Sequence, residues 1–228
     1  MGPYRSLVPS ISMARAHIVR LRHNRSFKRK PGRRKTEPLV LIACEGRTER
    51  EYFDAIRVAH RLRTVEIPAD AIGRDPKGLV EYAARRARDE GGFDHVICAF
   101  DRDTHAHFAA ARARIKTLAA GRDPMPIMEA VTIPAFEFWF LLHFERTASP
   151  YANCDDVIAR LKAAGHIPNY AKADAALCRE LAARSDLAIA NARWLAEEAK
   201  KDGFVNPFTN VHTALELLYR LSAGKDVG

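Results

Sequence analysis

Carboxylates placed at the ends of apolar segments are the first residues in this chain that could do chemistry. The stretch LIACEGRTEREYF (41–53) runs four apolar or small residues, Leu41 to Cys44, directly into Glu45 and Gly46, with Glu49 and Glu51 close behind. A glutamate at the end of a buried strand is costly to desolvate unless something cationic meets it. A second run, HVICAF (95–100), ends the same way in Asp101-Arg102-Asp103. Residues i and i+2 of an extended segment face the same side, so these two aspartates address one point. Three carboxylates gathered there repel one another unless a hard divalent cation sits among them, and oxygen-only ligands suit Mg²⁺ or Mn²⁺. Such an ion polarises a phosphoryl oxygen and activates a water for in-line attack. The plainer reading is two unrelated strand-terminal turns, because aspartate is common in turns and at helix N-caps.

Bringing the carboxylates together requires strands that end along one edge of a sheet. Leu39 to Cys44, Val65 to Pro68, His95 to Phe100 and Ile127 to Ile133 read as short buried strands. Helical segments fall between them: Thr48 to about Arg63, with Thr48 and Glu51 read as a capping box; Leu79 to Glu90, stopped by Gly91 and Gly92; and Phe108 to Ala120, closed by Gly121. This alternation implies right-handed crossovers and a largely parallel sheet, whose carboxyl edge is where α/β proteins put their sites. Beyond Pro134 the strand signal disappears, and helices are expected near 135–145, 153–165, 173–184, 186–201 and 209–222. The organisation expected is a basic, flexible arm (1–37), an α/β core (38–134) and a helical C-terminal part (135–228) packed on it.

Charge separates the arm from the rest. Residues 1–37 hold eleven Lys or Arg against one acid, a balance of +10 in a chain whose total is +9, so the remainder is close to neutral. Arg29, Arg33 and Arg34 lie in the densest part of this stretch, which suits contact with the phosphates of RNA or DNA; a solvated tail is the plainer alternative. The four cysteines form no C-x-x-C pair and read as free thiols in a reducing cytoplasm. No continuous apolar run approaches the roughly 20 residues of a membrane span, and no P-loop is present, so ATP hydrolysis by this chain is not expected. Homo-oligomerisation is compatible with the sequence without being indicated by it.

The strand-terminal EG and DRD, separated by intervening helices, form the two halves of the Toprim pattern. LIACEGRTEREYF, FDRDTH, PAFEFWFLLHF and NPFTNVH, in this order, resemble the RloB family, Toprim-like proteins encoded near bacterial restriction and phage-defence loci, over roughly residues 39–220. The resemblance implies a Toprim-like fold and metal-dependent phosphodiester chemistry, with Glu45 as acid/base or metal-bridging carboxylate, and Asp101 and Asp103 as metal ligands. Gly46 would let the backbone turn tightly beside the metal, and Glu49 would stand behind the ligands. No tyrosine near these motifs is an obvious strand-passage nucleophile, so hydrolysis is favoured.

The later motifs are open to two readings. In PAFEFWFLLHF the aromatics suit the apolar stripe of a docking helix, yet Glu137 follows a strand-ending proline and could reach the metal edge, and His143 could contact phosphate or donate a proton. Lys172 in NYAKAD, and Asn206, Thr209 and His212 in NPFTNVH, are candidate phosphate contacts; Thr209 as an N-cap is the structural alternative. The expected function is a Mg²⁺- or Mn²⁺-dependent nuclease acting on RNA or DNA in anti-phage defence or abortive infection. The alternatives are a non-catalytic nucleic-acid-binding or sensing subunit working with a separate ATPase or other defence protein, and primase-like nucleotidyl transfer.

Overall fold

Alternate residues of one strand set the layers of the fold. Strand β1 (Val40–Cys44) is buried along its whole length. Val40, Ile42 and Cys44 point into one apolar cluster, while Leu41 and Ala43 point into the other. This is the period of two expected of a strand covered on both faces. The computed structural model describes residues 37–102, 107–203 and 205–223, which form one compact unit. Around β1 it places α1 (Arg47–Ala59), β2 (Val65–Glu66), α2 (Pro76–Glu90), β3 (His95–Asp101), α3 (Phe108–Ala120) and β4 (Ile127–Ile133). After β4 come α4 (Glu137–Leu141), α5 (Cys154–Ala163), α6 (Ala175–Ala182), α7 (Ser185–Asp202), β5 (Phe208–Thr209) and α8 (Val211–Ala223).

The sheet order is β2-β1-β3-β4-β5. The first four strands are parallel, as the alternation of strands and helices implies. Helices α2 and α3 cover one face through Leu79, Val80, Ala111 and Ile115. Helix α1 and the C-terminal helices cover the other, so residues 135–223 complete the core rather than decorate it. One expectation needs correcting. Strand structure does not end at Pro134, because Phe208 and Thr209 pair antiparallel with Ile133 and Thr132 at the edge of the sheet. Two residues carry no readable alternation, which is why pattern alone misses them. Among the described residues no helix is long and apolar enough to cross a membrane.

The stripe Phe136, Trp139, Phe140 and His143 packs edge-on around Tyr52 of α1, with ring centres 5.7, 6.2, 5.8 and 5.8 Å away. His143 is 3% exposed and belongs to this packing. Its Nδ1 bonds the Trp139 carbonyl at 2.9 Å, and Nε2 meets the Tyr52 hydroxyl at 3.2 Å. Since a carbonyl can only accept, Nδ1 carries the proton and Nε2 accepts from Tyr52. The expected role of His143 as a phosphate contact or proton donor is therefore corrected: burial lowers its pKa to about 4 and keeps it neutral.

Acid unfolding reports this imidazole. The unfolded ring takes up a proton near pH 6.5 and the folded one only near 4. Between these values the unfolded state binds more protons, so stability falls as the pH falls through that window. Urea unfolding at pH 7 and at pH 4.5 should show a loss smaller in His143→Gln than in the parent by about 2 kcal/mol. Equal losses would place the acid sensitivity in other groups.

Candidate active site at the carboxyl edge of the sheet

The chain leaves β1 through α1 to form β2 on one side, and returns through α2 to form β3 on the other. Such a reversal opens a crevice between the carboxyl ends of the two neighbouring strands. Glu45 is the first residue beyond β1, and its backbone is held at both polar atoms: its N–H donates to the Ala99 carbonyl and its carbonyl accepts from Gly73 N–H, each at 2.9 Å. Asp101 ends β3, where its Oδ2 lies 3.4 Å from the Phe136 amide. Cys44 is in register with Ala99, so the strand pairing brings Glu45 and Asp101 to the same edge.

The crevice is a cleft of about 420 Å³ into which Glu45, Glu49, Asp101 and Glu137 all bring carboxyl groups. Arg47 and Lys172 stand on its rim, and Thr48 and Cys154 complete the parts of the wall that bear on its chemistry. Burial drives the Glu49 carboxyl well above the ordinary glutamate range, and the charges of Asp101, Glu137 and Glu45 push it further, against a backbone hydrogen bond that pulls it down. Glu137 opens α4 at 4% exposure. The Tyr170 hydroxyl donates to its Oε1 at 2.6 Å. Burial pushes the Cys154 thiol up to about 12, with Glu137 adding to the effect, so this sulfur is a neutral thiol and not a ready nucleophile. Lys172 is held above its usual range by the Cys154 sulfur, then by Glu137 and Asp101, and stays an ammonium.

Gly46 acts here through room rather than through turning. Its φ of −110° is open to any residue. A Cβ at this position, however, would collide with the Glu49 carboxylate, which folds back over it. Gly46 is itself the N-cap of α1. Glu49 therefore occupies the third helical position, from which a glutamate reaches back toward the helix start. The capping box expected at Thr48 and Glu51 is consequently not formed. Thr48 lies inside the first turn, where its hydroxyl accepts from Ala173 N–H at 3.3 Å. Ala173 has φ of +56°, a left-handed conformation rare for a non-glycine residue, in the segment that brings Tyr170 and Lys172 over the cleft.

Of the residues singled out by sequence, Glu45, Gly46, Glu49, Asp101, Glu137 and Lys172 meet in this cleft. Asp103, Arg29, Arg33 and Arg34 lie outside the described residues. Three others line no part of the cleft and serve the core, which corrects their reading as phosphate contacts. The Asn206 amide donates to the Tyr151 carbonyl at 2.8 Å. The Thr209 hydroxyl bonds that of Thr132 at 3.1 Å and accepts from Val211 N–H, close to the N-cap role that was its alternative. His212 is 8% exposed within α8. Sequence reasoning missed Arg47 and Cys154; Arg47 sits inside the EGRTE motif and was legible there, whereas nothing near Cys154 marks it.

The oxygen donors fit a hard dication, and the like charges that raise Glu49 are what such an ion would relieve. Among the described residues, however, no three His, Cys, Asp or Glu groups are placed so that they could hold a metal ion together.

Fold and cleft together define an α/β protein with a carboxylate-lined site at the switch point of its sheet. A family model described as RloB-like protein matches residues 40–218, and the chain belongs to that family. The match takes in every cleft residue named above. No curated protein and no solved structure matches the chain.

Because the space over Gly46 holds a movable carboxylate and not backbone, Gly46→Ala should displace Glu49 and leave the fold intact. Its melting temperature is expected within about 4 °C of the parent, the equivalent of roughly 1 kcal/mol in a chain of this size. A ¹³C carboxyl titration should show Glu49 moving down toward the ordinary glutamate range. An unmoved titration would show that Glu49 does not depend on the space at Gly46.

Proposed function

We propose that this chain hydrolyses phosphodiester bonds of RNA or DNA with the help of a bound Mg²⁺ or Mn²⁺ ion, as a cytoplasmic component of bacterial defence against phage. One observation carries the reading: Glu45 and Asp101, brought to one cleft by the pairing of β1 with β3, stand there with two further carboxyl groups and a lysine ammonium. Its family membership and the Toprim-like pattern of EG and DRD support the same chemistry. Glu45 and Asp101 would hold the ion, with Asp103 as the further ligand that the DRD spacing suggests. When bound, the ion would polarise a phosphoryl oxygen and lower the pKa of a water.

The chain's own groups then position the substrate. Lys172, a permanent ammonium at the rim, pairs with a non-bridging phosphate oxygen. Arg47, exposed beside it, extends this contact along the strand. Glu137 is held in one orientation by Tyr170, and the Cys154 thiol is hydrogen-bonded to the same carboxylate. Glu49 holds its proton in the wall of the cleft, from which it can be passed to the departing ester oxygen. Attack of water on phosphorus breaks one P–O ester bond and leaves a phosphomonoester and a free hydroxyl. Because no three His, Cys, Asp or Glu groups among the described residues are placed to hold an ion together, the second reading is a binding or sensing subunit without turnover of its own.

Two measurements on the full chain separate these readings. Mn²⁺ should raise the melting temperature of the parent and leave Asp101→Asn unmoved. Cleavage of end-labelled oligonucleotides in Mg²⁺ or Mn²⁺ should fall at least about 100-fold in Glu45→Gln and Asp101→Asn, a loss on the scale of removing one preorganised electrostatic contact from a site. Cleavage that persists in both variants would end the nuclease reading. Salt-sensitive oligonucleotide binding without turnover in either ion would establish the binding subunit.

A further inference from the structure

Another pocket borders the same 169–174 segment that lines the cleft, and its chemistry is unlike that of the cleft. It has a volume of about 360 Å³ and is lined by Phe144, His166, Asn169, Asp174, Glu180 and Arg184, among others. Ala173 lines the cleft and Asp174 lines this pocket, so the two openings are one residue apart along the chain, about 3.8 Å between Cα atoms.

Its central feature is a column of flat groups. The His166 ring stacks on Phe144 with centres 4.7 Å apart and planes inclined by 11°. The Arg184 guanidinium carbon lies 4.7 Å from the centre of the same phenyl ring. Each outer group is held by a carboxylate. Glu145 takes the His166 Nε2 at 3.3 Å while also bound by Arg160, and Glu180 pairs with Arg184 at 3.0 Å. Arg184 keeps nearly half of its side-chain surface exposed where it lines the pocket.

The carboxylates decide what this pocket can take. Arg184 is already paired with Glu180, and Asp174 also lines the pocket, so a phosphate would be repelled. A neutral, planar, polarisable group with hydrogen-bonding edges fits, and guanidinium and aromatic planes are general stacking surfaces for such a group. Asn169, exposed at the rim, offers a donor and an acceptor to its edge. We infer that the pocket of Phe144, His166, Asn169 and Arg184 binds an unstacked nucleobase of a single-stranded nucleic acid whose neighbouring phosphate sits at Lys172. The inference rests on the phosphodiester reading of the cleft and adds to it a base-binding subsite and a preference for single strands.

The test is binding of 12-nucleotide single strands, RNA and DNA, in which 2-aminopurine replaces each internal base in turn, by the full chain carrying Asp101→Asn in Mg²⁺. One position is expected to lose fluorescence on binding as its base stacks. Arg184→Ala should abolish that quench and weaken binding roughly 10-fold or more, the scale of one base–aromatic stack. Arg184→Lys should do nearly the same, because it keeps the charge and loses the plane. An abasic site at the responsive position should bring all three proteins to equal affinity. Arg184 is a surface residue, so both variants should melt within a few degrees of the parent. Full affinity in Arg184→Lys, or an abasic strand bound as tightly as the intact one, would overturn the subsite. Base-dependent binding with no cleavage by the parent chain would sink the nuclease reading alone. Cleavage of intact and abasic strands at equal rates, with no quench at any position, would sink the subsite alone.

Discussion

Repulsion between carboxylates in a half-enclosed cleft is the constraint from which the rest of this structure follows. Two such charges about 5 Å apart, at an effective dielectric near 20, oppose each other by roughly 3 kcal/mol. That cost is a large fraction of the total stability of an ordinary domain. Glu45, Glu49, Asp101 and Glu137 share one cleft, and the surrounding features offset their mutual repulsion. Burial and the neighbouring acids hold the Glu49 carboxyl well above its ordinary range, Tyr170 donates to Glu137, and Lys172 brings a positive charge to the rim. The strand pairing that creates the conflict is itself buried on both faces, so the cleft cannot relieve its charge by spreading apart without disrupting the core.

The C-terminal helices are as much a part of this site as the sheet is. Glu137, Cys154, Tyr170 and Lys172 all follow β4, and the Ala173 amide reaches back to Thr48 in α1. The aromatic packing of Tyr52 against Phe136, Trp139 and Phe140 sets α4 beneath the cleft. That position puts Glu137 opposite the strand ends. The same stretch of chain thus builds the core and supplies one of the four carboxylates of the cleft, Glu137.

What could be read from the sequence follows the length scale of each signal. Strands β1 and β3 are built on continuous apolar runs and β4 is apolar apart from Glu129 and Thr132, and the acids that close β1 and β3 stand out against them. The start of α1 was harder, because EGRTE offers two capping geometries two residues apart, and only the fold of Glu49 onto Gly46 chooses between them. His143 was misjudged because a histidine on an apolar helix face looks the same in sequence whether its ring meets a substrate or a tyrosine hydroxyl. The polar residues of NPFTNVH were misjudged for a related reason: their partners, Tyr151 and Thr132, lie far away in sequence. Cys154 carries no local mark, since its neighbours in the cleft come from four other segments.

The antiparallel pair formed by β4 and β5 has a consequence for how the protein is made. The outer edge of β4 is complete as soon as Ile133 leaves the ribosome, but its partner is synthesised some 75 residues later. During that interval β4 presents unpaired backbone groups and the apolar side chains around them, a template on which another nascent chain can dock. Premature stop codons between the two strands fix that transient exposure as a permanent one, so the last strand of this sheet, only two residues long, guards the solubility of everything translated before it.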